Sequence, residues 1–482
     1  MATPPAPGAL TARLIEALGA DSVKISPEDL RVYGFDASYE GEPPWAAVFP
    51  TDARGVSAVV RIAAEYGTAV VPRGAGTGLC GGCVPVGGSV VLSFARMNRL
   101  LHLDTLNRRA RVQPGLINLD LSRAARPLGL FYAPDPSSQA TCTLGGNVAT
   151  NAGGPHCLSY GTTVNHVLGL EFVDHRGEVV QTDVDDAGYD LTGALVGSEG
   201  TLALVTAIDL RLLRLPPAVR VALASFADIE SASAAVSAII AAGIVPTALE
   251  IMDALVVHAV EAHYHAGFPS DAGAVLLIEV AGATEDVEER EASLAVIARE
   301  HGARSWRTAR DEDERQSLWA SRKGAAGALG RIAPNYYIQD ATVPRTKLPQ
   351  AIHAVNAIAH DYGIKVGNVF HAGDGNLHPL MTFDRRIPRE VEAIAQAGTE
   401  ILKACIALGG TISGEHGIGF EKRETLGLVF SAADLAAMAR LRDVFDPRRL
   451  FNPEKIFPGG ARCGEVRRET IARNGGAAGA WL

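Results

Sequence analysis

The chain has few cysteines and no excess of basic side chains. Six cysteines spread over 482 residues are too sparse for a disulfide framework, and they suit a reducing compartment such as the cytoplasm. Aspartate and glutamate outnumber lysine and arginine by 54 to 44, which gives a formal net charge of −10. A nucleic-acid-binding surface is therefore not expected.

The chain also lacks a long uninterrupted apolar run. Its N-terminus, "MATPPAPGAL", has neither the basic residues nor the apolar core of a secretory signal. The longest apolar region, "SASAAVSAIIAAGIVPTALEIMDALVVHAV", is interrupted by Pro246, Glu250 and Asp253, and these residues are costly inside a bilayer. We therefore predict a buried helix here and a cytoplasmic protein.

The cysteines are not spaced for an iron–sulfur cluster. Cys80 and Cys83 form a C-x-x-C, which raises a zinc or redox alternative, but no second C-x-x-C and no thioredoxin-like setting accompany it. Small residues filling a tight loop are the favoured interpretation. The other four are Cys142, Cys157, Cys405 and Cys463, and none of their spacings is typical of a cluster.

The organisation changes near Pro217, and the length suggests two or three domains. Before it, runs such as "AVVPRG", "SVVLSF" and "LGLEFV" predict short strands, and "GVSAVVRIAAEYG" predicts an amphipathic helix that ends at Gly67. After it, alanine-rich helices alternate with strands such as "AVLLIEVAG" and "YYIQDATVP". We predict an α+β protein with domains at 1–217 and 218–458 and a tail at 459–482, the second domain an antiparallel sheet with helices on one face.

Three loops of small residues lie in the first half. The loop "PRGAGTGLCGG" contains five glycines, whose backbone N–H groups could cradle an anion, although it matches neither the dinucleotide fingerprint nor the P-loop. A turn without a ligand is equally compatible with that loop alone. Together with "APDPSSQATCTLGGNVATNAGG" and "LVGSEGTLALVTAIDLRL", it could enclose a ligand with a diphosphate and a flat ring, as in FAD.

The order of these motifs resembles the FAD domain of the vanillyl-alcohol oxidase/p-cresol methylhydroxylase superfamily. With "FHAGDGNLHP", "SGEHGIG" and "FDPRRLFNPEKIFP", the likeness covers nearly the whole chain and is to the 2-hydroxy-acid-oxidising branch. That branch includes the FAD-binding subunits of bacterial glycolate oxidases and the D-lactate and D-2-hydroxyglutarate dehydrogenases. The resemblance implies a two-part FAD domain followed by a substrate domain.

The resemblance also implies which residues contact FAD. Asn452 would touch the flavin from the C-terminal segment, although a simple C-terminal clasp is the competing interpretation. Several members attach FAD through a histidine in the first loop, which has none here, so non-covalent FAD is expected. The remaining implied contacts are Arg73, Gly74, Ala75, Gly76, Thr77, Gly78, Leu79, Pro136, Ser137, Ser138, Thr143, Gly145, Gly146, Asn147, Asn151, Gly153, Gly154, Tyr160, Gly161, Glu199 and Gly200, with the last two near the adenine half.

Two histidines seven positions apart stand out in "FHAGDGNLHPL". Glycines between them exclude a helical pair, but an extended chain could bring His371 and His378 together across the turn "AGDGN". Glycine-flanked histidines that merely hydrogen-bond within a loop are the plain alternative. The resemblance implies that His371, His378 and Glu415 bind a divalent metal such as zinc.

The remaining residues concern the substrate. The resemblance makes His416 the base that takes the hydroxyl proton while a hydride leaves for the flavin. Arg322 would hold the substrate carboxylate through its fork of donors, a surface arginine being the alternative, and Lys323 is interpreted as solvated. Ala326 and Ile338 stand where D-2-hydroxyglutarate enzymes bind a second carboxylate, which favours a short monocarboxylate.

These observations predict FAD-dependent oxidation of glycolate or a similar D-2-hydroxy acid. Electrons would pass to an iron–sulfur partner subunit, alongside a second flavin-type subunit, and then to a quinone. Such a complex implies at most peripheral association with the inner face of the cell membrane. D-lactate or D-2-hydroxyglutarate as substrate, an FAD-dependent ether-lipid synthase and a non-catalytic flavin-binding subunit are the alternatives.

Overall fold

The computed structural model describes residues 7–458, which form fifteen α-helices and nineteen β-strands. The helices are α1 (Pro7–Leu18), α2 (Pro27–Arg31), α3 (Ala53–Tyr66), α4 (Asn118–Ala125), α5 (Leu144–Thr150), α6 (Cys157–Tyr160), α7 (Leu191–Leu195), α8 (Ile229–Ala241), α9 (Ala254–Tyr264), α10 (Thr284–Glu300), α11 (Glu312–Lys323), α12 (Ala325–Leu329), α13 (Leu348–Asp361), α14 (Pro388–Ala407) and α15 (Ala432–Phe445). Short 3₁₀ helices cover Ala20–Ser22, Arg126–Leu128, Thr163–His166, Arg345–Lys347 and Arg423–Leu428.

The strands form four sheets. They are β1 (Val23–Lys24), β2 (Ala46–Val48), β3 (Val70–Arg73), β4 (Val90–Ser93), β5 (Leu100–Asp104), β6 (Arg109–Val112), β7 (Leu130–Phe131), β8 (Val167–Val173), β9 (Val179–Asp183), β10 (Leu204–Arg211), β11 (Leu213–Arg214), β12 (Ala218–Phe226), β13 (Ala248–Asp253), β14 (Ala274–Gly282), β15 (Ser305–Thr308), β16 (Asn335–Ile338), β17 (Ala341–Thr342), β18 (Lys365–His371) and β19 (Asn376–Phe383).

The first sheet has the order β1-β2-β4-β3, and β4 runs parallel to both β2 and β3. Helix α3 makes the connection between β2 and β3, as parallel strands require. It starts at Asp52, whose side chain accepts a hydrogen bond from the Gly55 N–H, and ends at Gly67 in the left-handed region. Its apolar face packs on the sheet. The predicted amphipathic helix is confirmed.

The other strands of the first half are antiparallel. A five-stranded sheet has the order β5-β6-β10-β8-β9, and β7 pairs with β11. Its apolar side chains, including Leu170, Phe172 and Ile208, pack against α4, α5 and α7. The strands predicted from "AVVPRG", "SVVLSF" and "LGLEFV" are therefore all present.

The second half is built on one eight-stranded antiparallel sheet, in the order β15-β12-β14-β13-β18-β19-β16 with β17 pairing β19. Helices α8, α10, α13 and α14 cover one face, and α9, α11 and α12 cover the other. The prediction of helices on one face was wrong. In β14, Leu276 and Ile278 enter one core while Val275 and Leu277 enter the other, so both faces of the strand are apolar and both need cover.

The prediction of one buried helix for the long apolar region is wrong. The region forms α8, then β13 in the middle of the sheet, then α9. Gly243, at φ +78°, turns the chain after α8, and Pro246 precedes the strand. Among residues 7–458, no helix is both long and apolar enough to cross a bilayer.

The C-terminal segment returns to the first half. The Val70 N–H donates to the Leu450 carbonyl over 2.8 Å, and the Asn452 N–H donates to the Val70 carbonyl over 2.9 Å. Phe451 is fully buried in the core of the first sheet. Strand β11 ends at Arg214 and β12 begins at Ala218, and we propose the domain boundary between them. The predicted tail at 459–482 lies outside the described residues.

Candidate active site

The "FHAGDGNLHPL" segment is a β-hairpin that places both of its histidines on one face. Strand β18 ends at His371 and β19 begins at Asn376, with Gly375 at φ +81° in the turn. His371 pairs with Asn376, and His378 pairs with Val369, so the histidines are diagonal neighbours on adjacent strands. Their ring centroids lie 5.0 Å apart, and the two imidazoles converge across the turn.

The "SGEHG" loop brings a carboxylate to both imidazoles. Glu415 Oε1 lies 3.2 Å from His371 Nε2 and 3.1 Å from His378 Nε2. The ligand atoms of the three residues all lie within 4.8 Å of one another. Two imidazole nitrogens and one carboxylate oxygen that face a common point fit a zinc-type ion with an open position. This is the ligand set that the motifs implied.

Glu250 lies beneath this group and was missed by the sequence reasoning. It is the direct cross-strand partner of His371, and its carboxylate oxygens are each 2.9 Å from His371 Nδ1. The same carboxylate forms an ion pair with Arg322. Burial lowers the pKa of His371, but Glu250 and Glu415 raise it well above its usual value. A cation at Nε2 would displace that proton. The available signal was a carboxylate within the apolar region.

Arg322 is a buried residue of α11 and not a surface arginine. Its side chain is only 5% exposed and lies against Glu250, with His371 Nδ1 3.5 Å away. Its Nε has no hydrogen-bond partner within residues 7–458. The guanidinium is thus at the histidine cluster, already paired with one carboxylate.

Asp340 organises the "SGEHG" loop, and it too was missed. Its side chain is fully buried and accepts hydrogen bonds from the backbone N–H groups of Gly414 at 3.0 Å and His416 at 3.1 Å. The buried Lys422 ammonium lies 3.0 Å away. Burial raises the pKa of Asp340, but Lys422 and the two nearby histidines lower it far below its usual value, so the loop is held by a permanent anion.

His416 faces the site as a neutral imidazole. Its ring stacks on His378 with a centroid distance of 4.9 Å and an interplanar angle of 6°. Burial lowers its pKa to about 4, although Asp340 acts in the opposite direction. Its Nδ1 is buried and has no partner among residues 7–458. The ring is therefore an available proton acceptor near pH 7.

The three predicted FAD loops meet beside this cluster. A Cβ at Gly153 would lie 2.7 Å from Glu415 Oε2, and a Cβ at Gly200 would lie 2.5 Å from the Pro72 ring, so only glycine permits these approaches. The Glu199 N–H donates to the Ala149 carbonyl over 2.7 Å. In the first loop, the backbone N–H groups of residues 75–80 find no acceptor within residues 7–458. Unpaired amides in a glycine-rich loop fit an anion such as a diphosphate.

Several of the predicted cofactor residues bond to protein through their side chains. Arg73 is buried and donates to the Phe35 carbonyl over 2.6 Å. Thr143 caps α5 by accepting from the Gly146 N–H, and the Asn147 amide accepts from Asn118. These side chains shape the loops, whose backbones remain the proposed FAD contacts.

Glu199 and Asn452 join the two halves of the chain. The Glu199 carboxylate accepts from the N–H groups of Ile418 and Gly419, both over 2.7 Å. Burial raises its pKa to about 7. The Asn452 amide donates to the carbonyls of Gly82 and Glu199, while its Oδ1 is buried without a partner among residues 7–458. The C-terminal clasp, which was the competing interpretation for Asn452, is present, and the flavin contact of Asn452 stays a prediction.

The other predicted cofactor residues surround the same loops. Asn151 adopts φ +49° at the end of α5 and Gly161 adopts φ +78° after α6. Tyr160 packs edge-on against Phe131. The rest are partly accessible, with Ala75 and Ser137 exposed and Gly74, Gly76, Thr77, Gly78, Leu79, Pro136, Ser138, Gly145 and Gly146 intermediate, except Gly154, which is buried against Asp135.

Lys323 is not solvated, contrary to our interpretation. Its ammonium lies 3.1 Å from the Asp135 carboxylate, and its side chain is 27% exposed. Helix α11 packs against the first half of the chain at this point. Asp135 belongs to the second small-residue loop, so this ion pair crosses between the two halves.

Ala326 and Ile338 belong to one apolar cluster, together with Trp319 and Tyr336.

The C-x-x-C cysteines are free thiols, and Cys83 accepts a hydrogen bond from Arg73. Burial raises the pKa of Cys83 to about 11. Two groups of candidate metal ligands occur within residues 7–458, namely His371 with His378 and Glu415, and Asp340 with His378 and His416; the packing role of the two cysteines stays a prediction.

Two family models match this chain. The model for FAD linked oxidases, C-terminal domain, matches residues 215–456, and the model for the FAD binding domain matches residues 44–183. The chain therefore belongs to the FAD-linked oxidases, and FAD is its cofactor. The resemblance inferred from the motifs is confirmed.

Within the FAD-linked oxidases, the chain is similar to proteins named as glycolate oxidase subunits. The chain is 44% identical over 425 residues to the glycolate oxidase subunit GlcD of Escherichia coli strain K12, covering 88% of this chain and 85% of that protein. It is 41% identical over 456 residues to glycolate oxidase subunit GlcD of Bacillus subtilis strain 168, covering 93% and 97%. The structure of p-cresol methylhydroxylase with substrate bound has a TM-score of 0.77 at 16% identity, covering 94% and 98%, and it supports the predicted fold.

Proposed function

We propose that this protein oxidises glycolate or a similar short D-2-hydroxy acid to the 2-oxo acid, using non-covalent FAD. One observation carries the proposal: Glu415 is bound by His371 and His378 on one side and abuts Gly153 of an FAD loop on the other. The ligand cluster and the flavin loops are thus walls of one site. The similarity to proteins named glycolate oxidase subunits supports the same chemistry.

His371, His378 and Glu415 would hold a divalent ion such as zinc. Such an ion would supply Lewis acidity that lowers the pKa of a substrate hydroxyl, and FAD would supply the hydride acceptor. Glu250 orients His371 so that its Nε2 faces the shared point. Carboxylates behind metal-binding imidazoles commonly fix the tautomer in this way.

His416 would take the hydroxyl proton, because it is neutral near pH 7 and stacks directly on the ligand His378. Arg322 would bind the substrate carboxylate, since its guanidinium lies at His371 and retains an unpaired Nε–H. Ala326 and Ile338 belong to an apolar cluster, and neither side chain has a polar atom that could bind a second carboxylate, which favours a short monocarboxylate.

Electrons would leave through partner subunits. The chain has no cysteine spacing for an iron–sulfur cluster, so we propose that a separate iron–sulfur subunit, together with a second flavin-type subunit, carries them to a quinone. The name "subunit" given to the relatives supports such a complex. We propose a cytoplasmic location, at most peripheral to the inner face of the membrane.

The test is anaerobic mixing of the FAD-loaded protein with glycolate, D-lactate and D-2-hydroxyglutarate while flavin absorbance is followed. We expect glycolate or D-lactate to bleach the flavin fastest. Absence of bleaching by all three acids contradicts the proposal and leaves the ether-lipid synthase and the non-catalytic subunit.

A variant of His416 tests its proposed role as the catalytic base. His416→Ala should retain FAD but slow bleaching by about 10²-fold or more, the usual effect of losing a general base. Bleaching at the unaltered rate would refute this role for His416.

A further inference from the structure

His156 lies between two carboxylates that come from the two halves of the chain. Its Nδ1 is 2.9 Å from Asp135 Oδ1, and its Nε2 is 3.0 Å from Glu279 Oε1. Asp135 immediately precedes the Pro136–Ser138 part of an FAD loop, and Glu279 lies on β14 of the eight-stranded sheet. Both carboxylates are buried, so this imidazole bridges the FAD-binding half and the substrate half.

Helix α11 binds the same two carboxylates. The Trp319 indole N–H donates to Glu279 Oε2 over 2.8 Å, and the Lys323 ammonium lies 3.1 Å from Asp135 Oδ2. Trp319 and Lys323 are four residues apart and therefore share one face of the helix. Arg322 lies next to Lys323 and reaches the histidine cluster. The contacts that tie α11 to the FAD loop thus set the rotation of the helix that carries Arg322.

Charge balance requires His156 to be a cation. Of the two buried carboxylates, only Asp135 pairs with the ammonium of Lys323, and a neutral imidazole has one N–H for two acceptors. Burial lowers the pKa of His156, but Asp135 and Glu279 outweigh it and raise the pKa to about 10. With His156 charged, the group of four is neutral, and the contacts of His156 with Glu279 and of Lys323 with Asp135 are charge-assisted hydrogen bonds.

Aromatic rings hold the imidazole in place. The His156 ring lies 5.2 Å from the Trp319 ring and stacks at 6.3 Å on Tyr160, with an interplanar angle of 27°. Tyr160 comes from the FAD-binding half and Trp319 from α11. The imidazole is therefore enclosed by the same two parts of the chain that its nitrogens join.

We propose that His156 is a positioning residue, which, through Asp135 and Glu279, fixes α11 and its Arg322 against the FAD loops. The inference rests on the proposed role of Arg322 in binding the substrate carboxylate. Since that contact would be made in both the ground state and the transition state, losing it should weaken substrate binding more than it slows the chemical step.

The test compares His156→Gln with His166→Gln in the FAD-loaded protein. His166 is a matched control, because it is a fully buried histidine of the same half whose Nε2 bonds the Tyr160 carbonyl and which forms no hydrogen bond or ion pair with Asp135 or Glu279 within the described residues. We expect His156→Gln to raise the apparent Kd for glycolate in anaerobic flavin reduction by about tenfold or more, a typical coupling for neighbouring charged groups. The limiting reduction rate and the FAD content should change much less, and His166→Gln should leave the apparent Kd unaltered.

Hydrogen exchange separates this proposal from the proposed function. Amides of residues 312–323 should exchange faster in His156→Gln than in wild type or His166→Gln, whether or not any acid bleaches the flavin. Unaltered exchange in this segment overturns the positioning role even if glycolate is oxidised. An unaltered apparent Kd overturns the link to Arg322.

A double-variant cycle tests the charge balance. Adding Glu279→Gln to His156→Gln removes one charge of each sign, so the combined loss of substrate affinity should be smaller than the product of the two single losses. If the double variant loses as much substrate affinity as the product of the two single losses, the proposed charge bridge is contradicted. Should His156→Gln fail to fold, Trp319→Phe removes the indole N–H bond to Glu279 together with part of the ring that packs on His156, and it should give the same faster exchange and raised Kd to a lesser degree.

Discussion

Glu250 shows how one buried charge serves two residues of the site. It has no exposed surface, accepts from His371 and pairs with Arg322. Glu250→Gln should weaken zinc binding by about 10- to 100-fold, as loss of a carboxylate behind a ligating imidazole does. Zinc content measured after dialysis against graded chelator checks this. Glu421→Gln is the control, because Glu421 is a buried carboxylate bonded to Tyr337 outside the ligand set; equal zinc loss in both variants would contradict the specific role of Glu250.

At the scale of elements, the "SGEHG" loop that follows α14 depends on one buried ion pair. Asp340 and Lys422 are both almost fully buried and lie 3.0 Å apart, and Asp340 also holds the loop amides. Asp340→Asn leaves the ammonium unpaired and should lower the free energy of unfolding by about 3–5 kcal/mol. The double variant Asp340→Asn with Lys422→Met should lose clearly less, as judged by urea unfolding followed by circular dichroism. Equal losses of unfolding free energy in the single and the double variant would show that the ion pair itself does not stabilise the protein.

Some of the helices, strands and turns could be predicted from the sequence, and others could not. The hairpin could be foreseen because a glycine-rich turn separates two apolar runs, and α3 because its period and its Gly67 stop are local signals. Glu250 and Asp340 could not, because each finds its partners through strand pairing or loop packing between segments far apart in sequence. Helices on both faces of the large sheet were missed although a local signal was present: β14 is apolar at consecutive positions, which is typical of a strand covered on both faces.

At the scale of the whole molecule, the His156 bridge makes the union of the two halves depend on pH. The groups facing the imidazole are Asp135, Glu279, Lys323 and Tyr160. His156 has a pKa of about 10 in the folded protein against an ordinary value of 6.5. A raised pKa means that the folded state binds the proton more tightly, so the full contribution of His156 to stability exists below pH 6.5 and is lost as pH rises through 10.

The midpoint of thermal unfolding should therefore fall between pH 7 and pH 10 more steeply in the wild type than in His156→Gln, measured by differential scanning calorimetry with saturating FAD. His166→Gln should follow the wild-type curve, because burial lowers the pKa of that imidazole and it is uncharged throughout this range. Parallel curves for wild type and His156→Gln would show that the bridge carries no proton-linked stability.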